Sequence, residues 1–262
     1  MGTRKTLGGC NQPQRGLVLK HRKFIACYDL HGDMADAESV KKLHEFTKYF
    51  KPDIKIFGGD LFDFRSLRKK AGASEKAESL ADDVAIGTEF LKEWKPRVWL
   101  RGNHCERLWD LAENNAEDGL KRDAAQKGVH DLEALCKKQG TIIYPYDKRK
   151  GVHREGKLLF LHGYCHGAYA LRKSLQGYGE NLIMGHCHIV QQVTVEGLTP
   201  RQGWVAGCLC RLDYEYNRAI ISSLAQENGF VYGLLLDNGG FIVHQAKRVS
   251  GDWIVATDFK KI

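Results

Sequence analysis

Prolines are few, five in 262 residues, and no Ser/Gly/Pro-rich stretch interrupts the chain. No linker is therefore expected, and the sequence reads as one domain. Long apolar runs are missing as well. The longest candidates, residues 157–161 (KLLFL) and 233–236 (GLLL), fall far short of the roughly 20 residues that a membrane span needs. The first 23 residues are basic but have neither an apolar centre nor a small-residue cleavage site, so they do not read as a secretory signal. Eight cysteines are too sparse for a disulfide scaffold. Cys27 and Cys187 fall inside apparent strands and motifs, which suits reduced thiols in the cytoplasm. What is present, 43% hydrophobic and 27% charged residues, is a globular composition that can bury a sizeable core.

Lys and Arg number 40 against 32 Asp and Glu, a net charge of +8. Six of the cations (Arg4, Lys5, Arg15, Lys20, Arg22, Lys23) precede Asp29 with no acidic residue among them, and further clusters lie at 65–70 and 148–157. Such patches attract polyanions by counterion release and long-range steering. The same charge also serves plain solubility, so it supports a nucleic-acid partner without establishing one.

Strand and helix alternate through the first half. Residues 23–28 form a short apolar run, and 36–50 place Val40, Leu43, Phe46 and Phe50 on one helical face. Residues 53–57 are β-rich, 75–94 repeat Leu80, Val84, Leu91 and Trp94 at helical spacing, 97–100 form a third strand, and 106–127 read as helical. The second half holds short β-like runs at 157–161, 181–184, 189–195, 204–206, 230–236 and 241–245. Asp237-Asn-Gly-Gly240 is a hairpin signal, since those residues tolerate positive φ. The expected fold is two packed mixed sheets flanked by helices.

Each of the first three strands ends in a polar block: Asp29-Leu-His31, then Gly59-Asp60, then Gly102-Asn103-His104. Two later runs end the same way, at His162-Gly163 and at Gly185-His186-Cys187-His188. Ligands gather at the carboxyl ends of parallel strands, so two Asp, one Asn and five His are expected on one rim. Imidazole suits Mn, Fe, Zn or Ni, and a carboxylate can bridge two ions. Two ions can hold a hydroxide and clamp a phosphoryl group during in-line displacement. Neighbouring glycines let the backbone turn sharply beside the ligands.

The order D-x-H, G-D, G-N-H, lone His, G-H-x-H resembles the calcineurin-like metallophosphoesterases, with all five blocks present between Asp29 and His188. The resemblance implies a four-layer αββα sandwich, with residues 23–262 as a single metallophosphoesterase domain behind a basic segment, 1–22. It also implies a dinuclear hydrolase of phosphate esters, with one metal on Asp29, His31, Asp60 and His188 and a second on Asp60, Asn103, His162 and His186. Mn²⁺ is the expected ion, with Fe, Zn, Ni and Mg also compatible. His104 would contact the phosphate beside Asn103 and protonate the leaving oxygen, and Asp63 would orient it. A carboxylate there is expected to raise the imidazole's pKa. Where the family usually has Glu or Asp after Gly-Asn-His, this chain has Cys105 and then Glu106. The loss touches a group behind the ligands and not a ligand.

Several residues admit two readings. Arg65 and Arg101 either grip the substrate phosphate or sit in ion pairs. His166 is a substrate contact or, as favoured here, a surface histidine. The aromatic pieces 144–146 and 214–216 stack nucleobases or, as is more usual, simply pack. Cys165-His166, His186-Cys187-His188 and Cys208-Leu-Cys210 invite a structural zinc reading. Against it, Cys208 and Cys210 have one intervening residue where two to four are usual. Cys187 would also point away from both histidines in a strand, as a buried small hydrophobe. Trp94, Trp99 and Trp109 are expected in the core.

For function, the block 58–63 (GGDLFD) looks like that of the DNA-repair exonuclease branch, and together with the charge it favours a phosphodiesterase or nuclease acting on nucleic acid or nucleotides. The alternative is a phosphomonoesterase or protein Ser/Thr phosphatase, whose branch shares Arg101-Gly-Asn-His104. That branch places Arg directly after the carboxylate at Asp63, where this chain has Phe64. A non-catalytic scaffold is a third reading. Such relatives typically lose metal ligands, and every expected ligand is present.

Overall fold

The computed structural model describes residues 20–69, 71–113, 119–213 and 221–256. Arg4, Lys5 and Arg15 of the basic N-terminal segment and the aromatic piece 214–216 lie outside the described residues.

The first half follows the expected alternation. Strand β1 (His21–Cys27) leads to helix α1 (Ala37–Phe50), then β2 (Ile54–Phe57), α2 (Ala73–Ala77), α3 (Ala81–Trp94) and β3 (Val98–Leu100). Helix α1 begins where Asp36 accepts the Ser39 amide at 2.7 Å and ends where Lys51 turns left-handed at φ 50°. Leu43, Phe46 and Phe50 form its buried stripe. The run read as one helix over 75–94 is two. Ser79 Oγ accepts the Ala81 amide at 3.0 Å, which starts a new helix, and Arg68 pairs with Glu75 at 2.5 Å, holding α2 back against the preceding loop. Val84 faces outward at 37% exposure, because the buried face of α3 is Gly87, Phe90, Leu91 and Trp94.

After β3 come α4 (Glu106–Glu113) and α5 (Gly119–Gln139), then β4 (Ile142–Tyr144), β5 (Val152–Glu155), β6 (Leu158–Leu161), α6 (Ala170–Tyr178), β7 (Asn181–Met184), β8 (Val190–Val195) and β9 (Arg201–Ala206). The chain closes with β10 (Gly229–Leu236), β11 (Phe241–Val249) and β12 (Asp252–Ile254). The β10–β11 hairpin turns on the expected segment, with Leu235 opposite Phe241, Gly239 at φ 78° and Asn238 accepting the Gly240 amide at 2.8 Å.

The strands form a seven-stranded sheet, β12-β11-β10-β1-β2-β3-β4, and a five-stranded sheet, β5-β6-β7-β9-β8. The last three strands therefore return to the first sheet, β10 pairing antiparallel with β1. Between the sheets lie Phe24, Ile56 and Leu100 from one side and Phe160, Ile183 and Trp204 from the other. The outer face of the large sheet packs on α1, α3, α4 and α5 through residues such as Leu43, Phe90, Trp94, Trp99, Trp109 and Leu132. The small sheet packs on α6 through Leu171 and Leu175. The result is a four-layer αββα sandwich. Strand β6, most of β7 and the second half of β1, from Phe24 to Cys27, are apolar because both of their faces are covered. No helix among the described residues is long and apolar enough to cross a membrane, and the seven described cysteines are all free.

Candidate metal centre

The five polar blocks follow β1, β2 and β3 of one sheet and β6 and β7 of the other. They meet where the two sheets present the same end, so the rim is built from both. The loops after β1 and β2 are knitted together, the Asp29 amide donating to Gly59 O at 2.9 Å and the His31 amide to Asp60 O at 3.0 Å. Within the small sheet the Gly185 amide donates to His162 O at 2.9 Å, and between the sheets His162 Nδ1 lies 3.2 Å from Gly58 O.

Both aspartates are buried, and each divides its two oxygens in the same way. Asp29 Oδ2 accepts the His186 amide at 2.8 Å and Asp60 Oδ1 accepts the His104 amide at 2.8 Å. The other oxygen of each turns inward. No hydrogen bond reaches Asp29 Oδ1, although nitrogens of His188, His162 and His31 stand 3.6, 3.9 and 4.0 Å from it. Asp60 Oδ2 faces His162 Nε2 at 3.1 Å and His104 Nε2 at 4.0 Å. Two ring nitrogens oppose each other in each half of the site: His31 Nε2 and His188 Nε2 at 3.2 Å, and His162 Nε2 and His186 Nδ1 at 3.2 Å. Asn103 Oδ1 lies 3.1 Å from His162 Nε2. One cluster thus joins Asp29, His31 and His188, and the other joins Asp60, Asn103, His162 and His186. Asp60 also groups with His31 and His104.

An orphaned buried carboxylate oxygen ringed by imidazoles, and ring nitrogens converging in pairs at 3.2 Å, is a donor set shaped for cations. The backbone cost fits the same reading. Asp29, His31, Asp60, His186 and His188 all adopt left-handed φ between 50° and 67°, a conformation that non-glycine residues hold only where surrounding structure enforces it. The sharp turns are thus made at the ligand positions themselves and not only at the glycines. Two glycines are needed for approach. A Cβ on Gly102 would stand 2.0 Å from Asp60 Oδ1, and one on Gly185 would stand 2.5 Å from Asp29 Oδ2.

Electrostatics couple the groups. Burial alone raises both carboxyls, but His188 facing Asp29, and His162 and His104 facing Asp60, hold them below the usual carboxylate range. Against the pull of burial, the hydrogen bond to Asp63 and the charges of Cys210, Asp63 and Asp60 push His31 up to about 9, and Cys210 and Asp29 raise His188. His186, buried and beside His162, is pushed down to about 3. Cations entering the site must therefore displace protons. Addition of Mn²⁺ at neutral pH is expected to release protons, and affinity is expected to fall as pH drops below about 9, where His31 regains its proton. Calorimetry in buffers of different ionisation enthalpy measures this directly.

Asp63 accepts from the rings of both His31, at 3.3 Å, and His104. The expected rise in the His104 pKa does not result. Burial of the ring outweighs Asp60 and Asp63, and the pKa lies below its ordinary value. Arg65 forks onto Asp33 at 2.6 and 2.7 Å and also meets Glu78. Arg101 pairs with Glu106 at 3.1 Å and lies 4.5 Å from the centre of the Trp109 ring. Arg65 is thus committed to carboxylates, while Arg101 keeps Nη1 buried with no hydrogen-bond partner among the described residues. Cys105 is fully buried under Phe62, and Glu106 turns to Arg101 and the Tyr146 amide.

Of four neighbours of the site, Cys210, His166 and Tyr146 carry other readings in the sequence and Asp83 is passed over. Cys210 Sγ stands 3.8 Å from His188 Nδ1, behind the ring. The segment after β9, Gly207 to Cys210, is a sixth strand end at the same rim, and because it is Gly-Cys-Leu-Cys it carries no polar block to mark it. Cys210 converges with His31 and His188, whereas Cys165 and Cys208 join no convergent group among the described residues, so the zinc grouping assembles only at Cys210 and His188. Cys187 lies outside any strand and is half-buried, its Sγ 3.9 Å from Cys165 O. His166, read as a surface residue, is exposed but sits with Nδ1 2.9 Å from His186 Nε2. Tyr146 packs edge-on against His162 at 5.8 Å. Asp83 accepts the amides of Asp63 at 3.1 Å and Phe64 at 2.6 Å.

Asp83→Ala leaves those two buried amides unpaired and is expected to cost about 2–4 kcal/mol, read from chemical denaturation. Desolvation raises the Asp83 pKa to about 6, so the folded state binds the proton more readily than the unfolded chain. The contribution of Asp83 to stability therefore declines as pH rises from about 4 to 6, and the variant's deficit should be smaller at pH 7 than at pH 4.

Among solved structures, the chain is similar to Vacuolar Protein Sorting 29 from Cryptosporidium parvum, at 13% identity over 92% of this chain and 99% of that one, TM-score 0.47. It is also similar to Yfce, a phosphoesterase from E. coli, at 15% identity over 85% and 97%, TM-score 0.41. A nuclease from Pseudomonas putida matches at 13% identity over 82% and 84%, TM-score 0.36. No curated protein matches the sequence. The model of the calcineurin-like phosphoesterases matches residues 22–190, the stretch from β1 into β8 that carries both clusters, and the chain belongs to that family.

Proposed function

We propose that residues 23–262 form one metallophosphoesterase domain acting as a two-metal phosphodiesterase on nucleic acid or nucleotides. Family membership implies a divalent-metal hydrolase of phosphate esters. In the finer reading, Asp29, His31, Asp60 and His188 hold one ion and Asp60, Asn103, His162 and His186 the other, with Mn²⁺ as the working metal. When bound, the ions supply Lewis acidity for the phosphoryl oxygens and a water activated for attack. Asn103 and His104 position the phosphate, and His104 Nε2 delivers a proton to the leaving oxygen while Asp63 fixes the ring through Nδ1. Free thiols suit the reducing cytoplasm as the place of action.

The observation that carries the diester reading is the state of the two arginines. A monoester presents a dianionic terminal phosphate, which is best gripped by a forked guanidinium. Arg65 is engaged by Asp33 and Glu78, and Arg101, buried beside Glu106 and over the Trp109 ring, does not present an open fork to a substrate. A diester carries a single charge and needs no such clamp. With Mn²⁺ added, the protein is expected to hydrolyse bis-p-nitrophenyl phosphate in preference to p-nitrophenyl phosphate. Hydrolysis of the monoester alone would replace this reading with a phosphatase.

A further inference from the structure

The loop between β4 and β5, residues 145–151 (PYDKRKG), crosses from the edge of the large sheet to the edge of the small one. It starts at the candidate metal centre, since the Tyr146 ring packs on His162 and its hydroxyl donates to Gly163 O at 3.0 Å. It then carries three consecutive cations, Lys148, Arg149 and Lys150, all exposed. None of the three pairs with a carboxylate of another element among the described residues. The one acid within the loop is Asp147, which leaves the loop with a net charge of +2.

A run of surface cations usually sits on a mobile stretch, but this one is held in place. Asp147 Oδ1 accepts the amides of Arg149 at 2.8 Å and Lys150 at 2.7 Å, and the Gly151 amide closes the turn onto Asp147 O at 2.7 Å. The Tyr164 hydroxyl donates to Asp147 O at 2.8 Å and the Tyr178 hydroxyl to Lys148 O at 2.8 Å. Tyr146 and Tyr164 stack on each other at 4.9 Å. A Cβ at Gly151 would come 2.3 Å from Pro145 O, so the turn is closed tightly enough to need glycine. Ordering the loop yields no apolar burial for the three cations. What it does is fix where they stand relative to the centre, and that removes an ordering cost from binding.

From Tyr146 the chain reaches Lys148 to Lys150 within about 7–14 Å, at 3.3–3.6 Å per extended residue. Along a nucleic-acid strand, with one charge per roughly 3.4 Å of axis, that spans about two to four nucleotides. We propose that this loop is a polyanion subsite that holds the backbone phosphates flanking the scissile bond, so that the enzyme prefers polynucleotides to isolated nucleotides or small cyclic diesters. The proposal rests on the diester reading given above. The tyrosine hydroxyls are engaged and Tyr146 and Tyr164 stack on each other, so the loop reads phosphates and not bases, and its grip is independent of sequence.

The test uses the full chain with Mn²⁺ and a single-stranded DNA oligonucleotide of mixed sequence. Lys148→Gln/Arg149→Gln/Lys150→Gln should raise KM for the oligonucleotide about 10–100-fold at low salt. It should flatten the dependence of log(kcat/KM) on log salt by about 2, at roughly 0.7 per lost phosphate contact. Turnover of bis-p-nitrophenyl phosphate should stay within about twofold, which also reports that the centre is intact. Lys92→Gln/Lys137→Gln/Lys138→Gln removes the same charge from α3 and α5 and should change none of these.

Unchanged oligonucleotide KM and salt slope in the loop variant, with the wild type active on both substrates, would overturn the subsite and leave the diester reading standing. An equal effect from the remote variant would overturn it as a net-charge effect. Loop-dependent binding to phosphatidylserine vesicles, with oligonucleotide kinetics unaltered, would overturn it in favour of a lipid surface. A wild type that hydrolyses neither diester overturns the reading itself, and the subsite with it.

Discussion

Asp60→Asn is expected to lower hydrolysis of bis-p-nitrophenyl phosphate by at least about 10³-fold, since Lewis-acid stabilisation is worth several kcal/mol and each 1.4 kcal/mol is tenfold. Metal content should fall with it. Asp60 groups with histidines of both halves of the site, His31 on one side and His162 and His186 on the other. Its Oδ2 faces His162 at 3.1 Å, while its Oδ1 is tied to the His104 amide. An amide in place of the carboxylate retains the shape and can still accept that amide hydrogen. The inward atom becomes a neutral oxygen or an NH₂ donor that repels a cation. The fold should therefore survive, because the φ of 50° at this position is tolerated by Asn at least as well as by Asp. Metal analysis on the folded variant, alongside its circular dichroism, checks each part. A variant that kept two ions per chain and full turnover would remove Asp60 from the bridging position and with it the dinuclear proposal.

How much of this was legible in the sequence differs from element to element. The strands β1, β2, β3, β6 and β7 were legible because each is a short apolar run cut off by a polar block, the pattern of a strand covered on both faces. Helix α1 was legible from its stripe and Asp36 cap. Strands β4, β5 and β12 were not, being sheet-edge or half-polar segments of three or four residues with no strict alternation. Helix α6 was missed because only Leu171 and Leu175 mark its apolar face among the larger side chains. That β10 to β12 rejoin the first sheet is a long-range pairing with no local signature.

At the site, the spacing of the five blocks pointed to the residues that the fold brings together. It could not reveal their partners. His166 reaches His186 and Cys210 reaches His188 only because loops from other strands end at the same rim. The left-handed backbone of five candidate ligands runs against local propensity, and conformations of that kind are enforced by surrounding structure. The environment of His104 is the sharpest difference. A carboxylate beside a histidine reads as a raised pKa, but the sequence does not reveal that Asp63 is shared with His31 or that the ring is buried.

His104→Ala should separate two substrates. On a dinucleotide, whose leaving alkoxide must take up a proton, the loss is expected at about 10²–10⁴-fold, the usual worth of a positioned general acid. On bis-p-nitrophenyl phosphate the leaving p-nitrophenolate departs without a proton, and the loss should be far smaller. The geometry supports the assignment. Asp63 takes the Nδ1 hydrogen, leaving Nε2 turned towards the inward oxygen of Asp60, and the side chain keeps about a quarter of its surface open to the cleft. Burial lowers the pKa of the ring against the pull of Asp60 and Asp63. The wild-type kcat/KM for the dinucleotide should therefore fall as pH rises through the neutral range, as the protonated fraction is lost. That limb should vanish in the alanine variant. Asp63→Asn should move the same limb to lower pH while retaining more activity than His104→Ala, because Asn can still accept the Nδ1 hydrogen but does not stabilise the imidazolium. Equal losses on both substrates, with an unaltered pH profile, would instead make His104 a phosphate-positioning residue and leave proton delivery to another group.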